Sequence, residues 1–130
     1  MDETMMREMA VSVLEAWNTQ DVDTVANCYT EDVSYLDPNT RGYVSGREDL
    51  KRYLGKLFAA WRMTWAFKDG FLFKGGDGCA VLWHATIRKH DGEKVLEFDG
   101  MDLVLMRDDK LARNEVYFDR TALIELLQAT

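Results

Sequence analysis

The sequence contains little cysteine and proline, and each scarcity excludes a class of protein. Its 130 residues include two cysteines, Cys28 and Cys79, which are too few for the disulfide framework of a small secreted domain. The start of the chain carries acids where a signal peptide would carry basic residues and an apolar run, so we expect a reducing, cytoplasmic location. Pro38 is the only proline and no low-complexity tract offers a linker, so the chain is predicted to be one domain over 1–130.

Basic residues and histidines are also few. Sixteen Lys plus Arg stand against 23 Asp plus Glu, which gives a formal net charge of -7. A chain of this charge repels phosphate backbones and anionic lipid surfaces, so nucleic acid and membranes are not expected partners. No apolar run approaches the roughly 18 residues of a membrane span. The two histidines, His84 and His90, have no cysteine or acidic cluster to complete a ligand set, so a metal site is not expected.

Apolar side chains are plentiful, at 47% of the chain, and they recur with two different periods. Spacings of three and four residues predict helices over 4–17, 22–29 and 47–61. Asp21 is placed to cap the second of these helices. From residue 64 the period falls to two, which predicts, after a brief strand over 33–36, strands over 64–73, 79–89, 95–106 and 111–119. A last amphipathic helix is predicted to hold Leu123, Ile124, Leu126 and Leu127.

Two of the predicted strands, 79–89 and 95–106, carry apolar side chains on both faces. The helices can cover only one face of a four-stranded sheet, so the second face needs a partner, and another copy of the chain is the simplest candidate. We therefore expect a homodimer through an outer sheet face that contains Val81, Trp83, Met101, Leu103 and Tyr117.

Several local patterns occur in an order that resembles a known superfamily. They are the run Tyr29-Thr30-Glu31-Asp32-Val33-Ser34-Tyr35-Leu36-Asp37-Pro38 after two helices, Ser45-Gly46 before the third helix, and Tyr117-Phe118-Asp119 before the last. Nearly the whole chain resembles the nuclear transport factor 2-like superfamily, and within it the SnoaL-like polyketide cyclases and ketosteroid isomerases. The resemblance implies an α+β fold, the cystatin-like roll, in which a cone-shaped curved antiparallel sheet wraps around N-terminal helices. The mouth of the cone would hold a small apolar molecule.

The same resemblance implies catalytic residues. Asp37, in the Asp-Pro turn, corresponds to the acid with which ketosteroid isomerases shuttle a proton, and Asp102 corresponds to the acid that donates a hydrogen bond to the enolate. Asp37 would then be the ionised base and Asp102 the neutral donor. The isomerases also carry an oxyanion tyrosine on the first helix, where this chain has Val13. From strand parity we expect His84 to lie beside Asp102 and to supply that missing donor.

Six more side chains are candidates for contact with the ligand: Asn114, Phe118, Trp61, Trp65, Phe67 and Tyr53. Each also has a structural interpretation, because aromatic residues at these spacings form cores and a buried amide can satisfy backbone groups. Likewise, Asp37 can start a turn, Asp102 can reach a basic neighbour, and Asp119 can cap the last helix instead of facing the cavity. Two functions stay open: cofactor-free isomerisation, cyclisation or dehydration of an apolar carbonyl compound, or a non-catalytic binding or scaffolding module.

Overall fold

The computed structural model describes residues 1–128, and these form helices and strands in alternating blocks. The helices are α1 (Glu3–Asn18), α2 (Val22–Ala26), α3 (Arg47–Ala60) and α4 (Thr121–Gln128). The strands are β1 (Tyr29–Leu36), β2 (Val44–Ser45), β3 (Trp61–Leu72), β4 (Gly78–Lys89), β5 (Leu96–Arg107) and β6 (Lys110–Tyr117). The side chain of Leu126, predicted on the apolar face of the last helix, lies outside the described part. No helix within residues 1–128 has the length and apolar character of a membrane span.

All six strands belong to one curved sheet, in the order β2-β1-β6-β5-β4-β3. Strand β1 runs parallel to β6, and every other neighbouring pair is antiparallel. Helix α1 packs against β3 and α3 against β1, so both helices lie on the inner face of the sheet. The predicted α+β cone is therefore confirmed. The sheet is mixed, however, and the short strand β2 was not predicted.

Strand β1 begins at Tyr29, a residue that the helical spacing assigned to the second helix. Helix α2 ends at Ala26, and Tyr29 pairs instead with Leu111 of β6. The Leu111 amide donates to the carbonyl of Cys28 at 2.9 Å. The ring of Tyr29 is fully buried, and its hydroxyl accepts a hydrogen bond from Trp17 Nε1 at 3.1 Å. Pairing with a distant strand thus decides the conformation here, and local spacing does not reveal it.

Side chains at the end of α1 cover part of the edge strand β3. The Asn18 amide donates to the carbonyl of Trp65 at 2.9 Å and accepts from the amide of the same residue at 2.7 Å. Gln20, whose φ is +53°, donates to the carbonyl of Trp61 at 2.8 Å and accepts from the amide of Met63 at 2.9 Å. These bonds occupy backbone groups that a further strand would use, so they protect the edge from pairing with another chain.

The register between β4 and β5 shows which side chains face the helices. Val81 pairs with Asp102 and Trp83 with Gly100, and Val81 and Trp83 are only 3% and 1% exposed. Both therefore lie on the inner face, and the prediction that they belong to the outer face is wrong. Gly100 is required here, because a Cβ at this position would collide with the indole ring of Trp83. Both faces of β4 are apolar, so the sequence contained no polar row that could distinguish inside from outside.

The other three residues predicted on the outer face do lie there. Met101 pairs with Tyr117, and they are 38% and 47% exposed. Leu103 pairs with Glu115 on the same face. Phe71, on the edge strand, adds a ring that is 55% exposed.

Candidate active site

A cavity of about 40 Å³ lies inside the cone, between the inner face of the sheet and the helices. A single buried water needs roughly 10–15 Å³, so there is room for more than one small group. The carboxyl-bearing residues Asp37 and Asp102 both border this space. Aromatic rings form much of the rest of the wall, including all four tryptophans of the chain and the rings of Tyr35, Phe98 and Phe118.

Asp37 follows β1 directly and is held by the turn that it begins. Its Oδ1 accepts hydrogen bonds from the amides of Asn39 at 2.7 Å and Thr40 at 3.1 Å. The Thr40 hydroxyl also donates to the carbonyl of Asp37 at 3.0 Å. Pro38 cannot donate and fixes its own φ, so the chain is predisposed to this turn. The turn-starting interpretation of Asp37 thus holds, and it coexists with a place in the cavity wall.

The other oxygen of Asp37 is held by two tyrosines. Its Oδ2 accepts hydrogen bonds from the hydroxyls of Tyr35 at 2.8 Å and Tyr53 at 2.5 Å. Burial, together with the negative charge of Asp37, raises the pKa of both tyrosines well above the usual range. Both phenols are therefore neutral donors. A carboxylate has about four acceptor positions, and on Asp37 all of them have a partner.

Asp102 has a very different environment. The indole Nε1 of Trp83 donates to its Oδ1 at 2.9 Å, and no other hydrogen bond of the described residues reaches this carboxyl. Burial raises the pKa of Asp102 to about 6, against the lowering effects of Trp83 and of the nearby Asn114 amide, and the charge of Asp37 raises it further. The side chain is surrounded by protein but keeps some surface toward the cavity. Asp102 is therefore a carboxyl that exchanges its proton close to neutral pH.

A buried series of hydrogen-bonded side chains lies behind Asp102. Trp17 Nε1 donates to the hydroxyl of Tyr29, which donates to Asn114 Oδ1 at 2.8 Å. The amide nitrogen of Asn114 donates to the carbonyl of Leu103 at 3.4 Å. Asn114 is thus on the predicted inner face, but it does not border the cavity. It supports the wall next to Asp102, which is the backbone-satisfying interpretation of a buried amide.

The aromatic candidates divide into two groups. Trp61, Trp65 and Phe118 border the cavity, as predicted. Tyr53 reaches the site through its bond to Asp37 and does not form part of the wall. Phe67 faces inward but lies beyond the cavity, where the guanidinium of Arg7 stacks 5.0 Å from its ring centre. Its contact is with α1, so the structure does not bring Phe67 to the ligand.

His84 is not in the cavity, and the parity that placed it beside Asp102 is wrong. His84 pairs with Asp99, whose side chain projects from the outer face. Asp102 pairs instead with Val81, which faces inward. His84 Nδ1 lies 2.8 Å from Asp99 Oδ1, and its Nε2 lies 3.0 Å from Glu97 Oε1. Those hydrogen bonds raise the pKa of His84. On the outer face His84 cannot contact a ligand in the cone.

Asp119 is exposed, and its Oδ1 accepts a hydrogen bond from the backbone amide of Thr121 at 2.9 Å. This bond agrees with the capping interpretation of Asp119. That bond lowers the pKa of Asp119. Tyr35 was not predicted as a site residue, although its position two residues before Asp37 on the same strand face was an available signal. Over residues 1–128, no three His, Cys, Asp or Glu side chains are grouped as a metal site requires.

Comparison with known proteins identifies a family. A family model described as the SnoaL-like domain matches residues 10–114. No curated protein matches the sequence. Among solved structures, TerC co-crystallised with polyporic acid has a TM-score of 0.81 at 20% identity, over 96% of this chain and 99% of TerC.

Two further structures extend the comparison. SalBIII, an epoxide hydrolase/cyclase-like enzyme described as having a role in pyran ring formation in the polyether salinomycin, has a TM-score of 0.80 at 20% identity, over 92% of this chain and 95% of SalBIII. A protein with a ketosteroid isomerase-like fold from Catenulispora acidiphila, in complex with trimethylamine, has a TM-score of 0.80 at 12% identity, over 92% of this chain and 91% of that protein. At these identities the likeness shows a shared fold alone.

Proposed function

This chain belongs to the SnoaL-like domain family, and from that premise we propose that it is an enzyme that moves protons without a cofactor. The substrate is a small, largely apolar carbonyl compound in the cone, and the reaction is an isomerisation, a cyclisation or a dehydration. Asp37 is the base, and Asp102 in its protonated form is the hydrogen-bond donor to the enolate oxygen. The observation that carries this proposal is that two carboxyls with opposite surroundings border one aromatic cavity.

The base step removes a proton from the carbon next to the carbonyl. The C–H bond breaks, an O–H bond forms at Asp37 Oδ2, and the electron pair moves to the carbonyl oxygen. Because Oδ2 already accepts hydrogen bonds from two tyrosine hydroxyls, one tyrosine has to turn away as the substrate approaches. Tyr53 is the less buried of the two and is the one that we expect to move. Tyr35 then keeps the carboxyl oriented, which is the main requirement for an efficient base.

The negative charge that develops on the substrate oxygen requires a donor. A protonated Asp102 supplies one in a site with little competing water, where a hydrogen bond to an anion is strong. In an isomerisation the proton then returns from Asp37 to a different carbon. In a cyclisation the enolate carbon attacks a second carbonyl, and the alkoxide that forms takes the proton from Asp37. In a dehydration the enolate expels a β-hydroxyl group, which takes that proton and leaves as water. All three reactions use the same two carboxyls.

The relatives support this class of chemistry. The described role of SalBIII in forming a pyran ring supports ring closure as a reaction for this fold. TerC with polyporic acid and the Catenulispora protein with trimethylamine support the cone as a place for small organic molecules.

The alternative is a binding module of the same fold that performs no chemistry. A specific observation favours it: all acceptor positions of Asp37 are filled, as they are in a carboxylate whose role is structural. The two functions differ in whether a bound ketone exchanges the protons on its α-carbon.

We also propose that two copies associate through the outer sheet face, with Met101, Leu103, Phe71 and Tyr117 at its centre. The support is that Phe71, Met101 and Tyr117 are exposed, beside the half-buried Leu103, on the sheet face opposite to the one that α1 and α3 cover. On this face Arg113 pairs with Glu115 of its own chain. A cytoplasmic location is part of the proposal, since both cysteines are free thiols.

Proton exchange tests the enzymatic proposal without knowledge of the natural substrate. The protein is incubated with cyclohexanone or cyclohex-2-enone in deuterated buffer, and deuterium at the α-carbon is followed by NMR. We expect the wild type to accelerate exchange and Asp37→Asn to abolish it, while ketone affinity, measured by tryptophan fluorescence, stays within about twofold. Exchange at the wild-type rate in Asp37→Asn refutes the role of this residue. Binding without exchange in the wild type favours the binding module.

A further inference from the structure

The cavity has an unusual balance of charge. Among the described residues that border it, two are aspartates and none is a lysine, an arginine or a histidine. An anionic ligand would find no positive charge and two carboxyls in a space with little water, where like charges repel strongly. The whole chain carries a formal charge of -7, which adds to the repulsion of anions and the attraction of cations. The cavity therefore discriminates against negatively charged ligands.

The walls add a second, independent preference. All four tryptophans border the space, and Trp17 stands edge-on to Trp65 with ring centres 5.3 Å apart. Phe98 and Phe118 form another pair at 4.9 Å. Faces of aromatic rings attract cations, and rings grouped around a dry space are the usual means of binding methylated ammonium groups.

We propose that this cavity is also a binding site for small alkylammonium cations, held between the carboxylates of Asp37 and Asp102 and the rings of its tryptophans. The volume of about 40 Å³ suits the compact head of such a cation, whereas a fused-ring compound would have to displace part of the wall. The inference goes beyond the proposed function, because it concerns the cavity with Asp102 ionised and requires no proton transfer to a substrate.

The protonation state of Asp102 determines whether the cavity favours a neutral carbonyl compound or a cation. Among residues 1–128 the one hydrogen bond to the Asp102 carboxyl is that from Trp83 Nε1 to Oδ1, with the Asn114 amide nearby, so the carboxylate has acceptor capacity left for a cation. The titratable groups that act on it are Asp37 and Tyr29, with Cys79 close by on β4, and all three are neutral or negative. The side chains of α1 that face it across a small neighbouring space are apolar. Nothing positive in the described part of the cavity competes with a cationic ligand.

A matched series of three probes tests the charge preference. Choline, 3,3-dimethylbutan-1-ol and 3,3-dimethylbutanoate share nearly the same branched head and differ in charge from positive to neutral to negative. Their affinities are measured at pH 7.5 by isothermal titration, with tryptophan fluorescence as a second signal. We expect choline to bind at least about tenfold more tightly than the alcohol, and the carboxylate to bind more weakly than both. Equal or tighter binding of the alcohol overturns the proposal.

The pH dependence and two variants locate the effect. Choline affinity should fall as the pH drops below about 6, where Asp102 is protonated, while that of the alcohol stays constant. Asp102→Asn should lose most of the preference for choline, and Asp99→Asn, an exposed acid on the outer face, should keep it. A preference that survives in Asp102→Asn, or one that does not change with pH in the wild type, also overturns the proposal. The proton-exchange assay uses neutral ketones, so its failure leaves this result unaffected and the reverse is also true.

Discussion

The buried carboxyl of Asp102 should lower the stability of the fold at neutral pH, and removal of its charge should raise it. The pKa of this group is about 6 in the folded protein against an ordinary value of 3.8. Between these two values the folded chain holds the proton more tightly than the unfolded chain. The free energy of unfolding therefore falls as the pH rises from about 4 to about 6, and the loss is complete above that range. A difference of about two pKa units corresponds to about 3 kcal/mol.

Asp102→Asn tests this with little change of shape. The amide is neutral at every pH, and its oxygen can accept the bond from Trp83 Nε1 that Asp102 accepts now. At pH 7.5 we expect the variant to be more stable than the wild type by up to about 3 kcal/mol, an upper limit because Asp102 keeps some surface toward the cavity. Near pH 4 the advantage should disappear, since the wild-type carboxyl is then protonated too.

The measurement is urea unfolding of both proteins at intervals between pH 4 and pH 8, with the difference in free energy plotted against pH. Asp99→Asn is the matched control. Its carboxylate has a lowered pKa, because Lys68 and His84 donate to it, so this substitution should remove stability above pH 4 instead of adding it. If Asp102→Asn is no more stable than the wild type at pH 7.5, or if its advantage is the same at pH 4, the reasoning from burial is refuted.

Four further predictions follow from individual contacts. Tyr53→Phe removes the donor that has to leave Asp37, so it should keep proton exchange at or above the wild-type rate, and a complete loss by NMR would contradict the base step. Gly100→Ala forces a Cβ into the Trp83 ring and should cost about 1–3 kcal/mol in urea unfolding. His84→Gln should be less stable than the wild type below pH 6.5 and equal to it at pH 9, because the raised pKa of His84 adds stability only while the ring is protonated. Met101→Lys, on the outer face, should convert a dimer of about 30 kDa into a 15.0 kDa monomer in sedimentation equilibrium, and a wild type that is already monomeric excludes the dimer.

The sequence was sufficient for the architecture because the change in apolar period is a local signal. Helix α3 and the four long strands appear close to where the spacing predicts them. Strand β2 was missed because it has two residues and depends on its pairing with β1. Tyr29 was misplaced for a related reason, since β6 is far away in the chain. Elements that are defined by long-range pairing leave little trace in a short window of sequence.

The site residues divide in the same way. Asp37 and Asp102 were predicted as site residues through the resemblance, and both border one cavity. His84 was misplaced because parity within one strand does not say which residues of the neighbouring strand lie on the same face. The register between β4 and β5 decides this: Val81 pairs with Asp102, so His84 lies on the opposite face from Asp102. The bond between Tyr53 and Asp37 joins α3 to the turn after β1, and no pattern within either segment predicts it.

The contrast between the surroundings of the two carboxyls is the physical basis of the roles proposed for them, Asp37 as base and Asp102 as acid. Asp37 lies in a turn, where two backbone amides and two phenols donate to it, so its negative charge is shared among four hydrogen bonds. Asp102 lies in the middle of a strand, where the backbone amides are used by the sheet, one indole donates to it and the Asn114 amide lies nearby. Desolvation then dominates, and the proton is retained to near neutral pH. The secondary structure around each aspartate thus determines which hydrogen-bond donors reach its carboxyl. A second donor placed against Asp102 should therefore lower the pKa of Asp102.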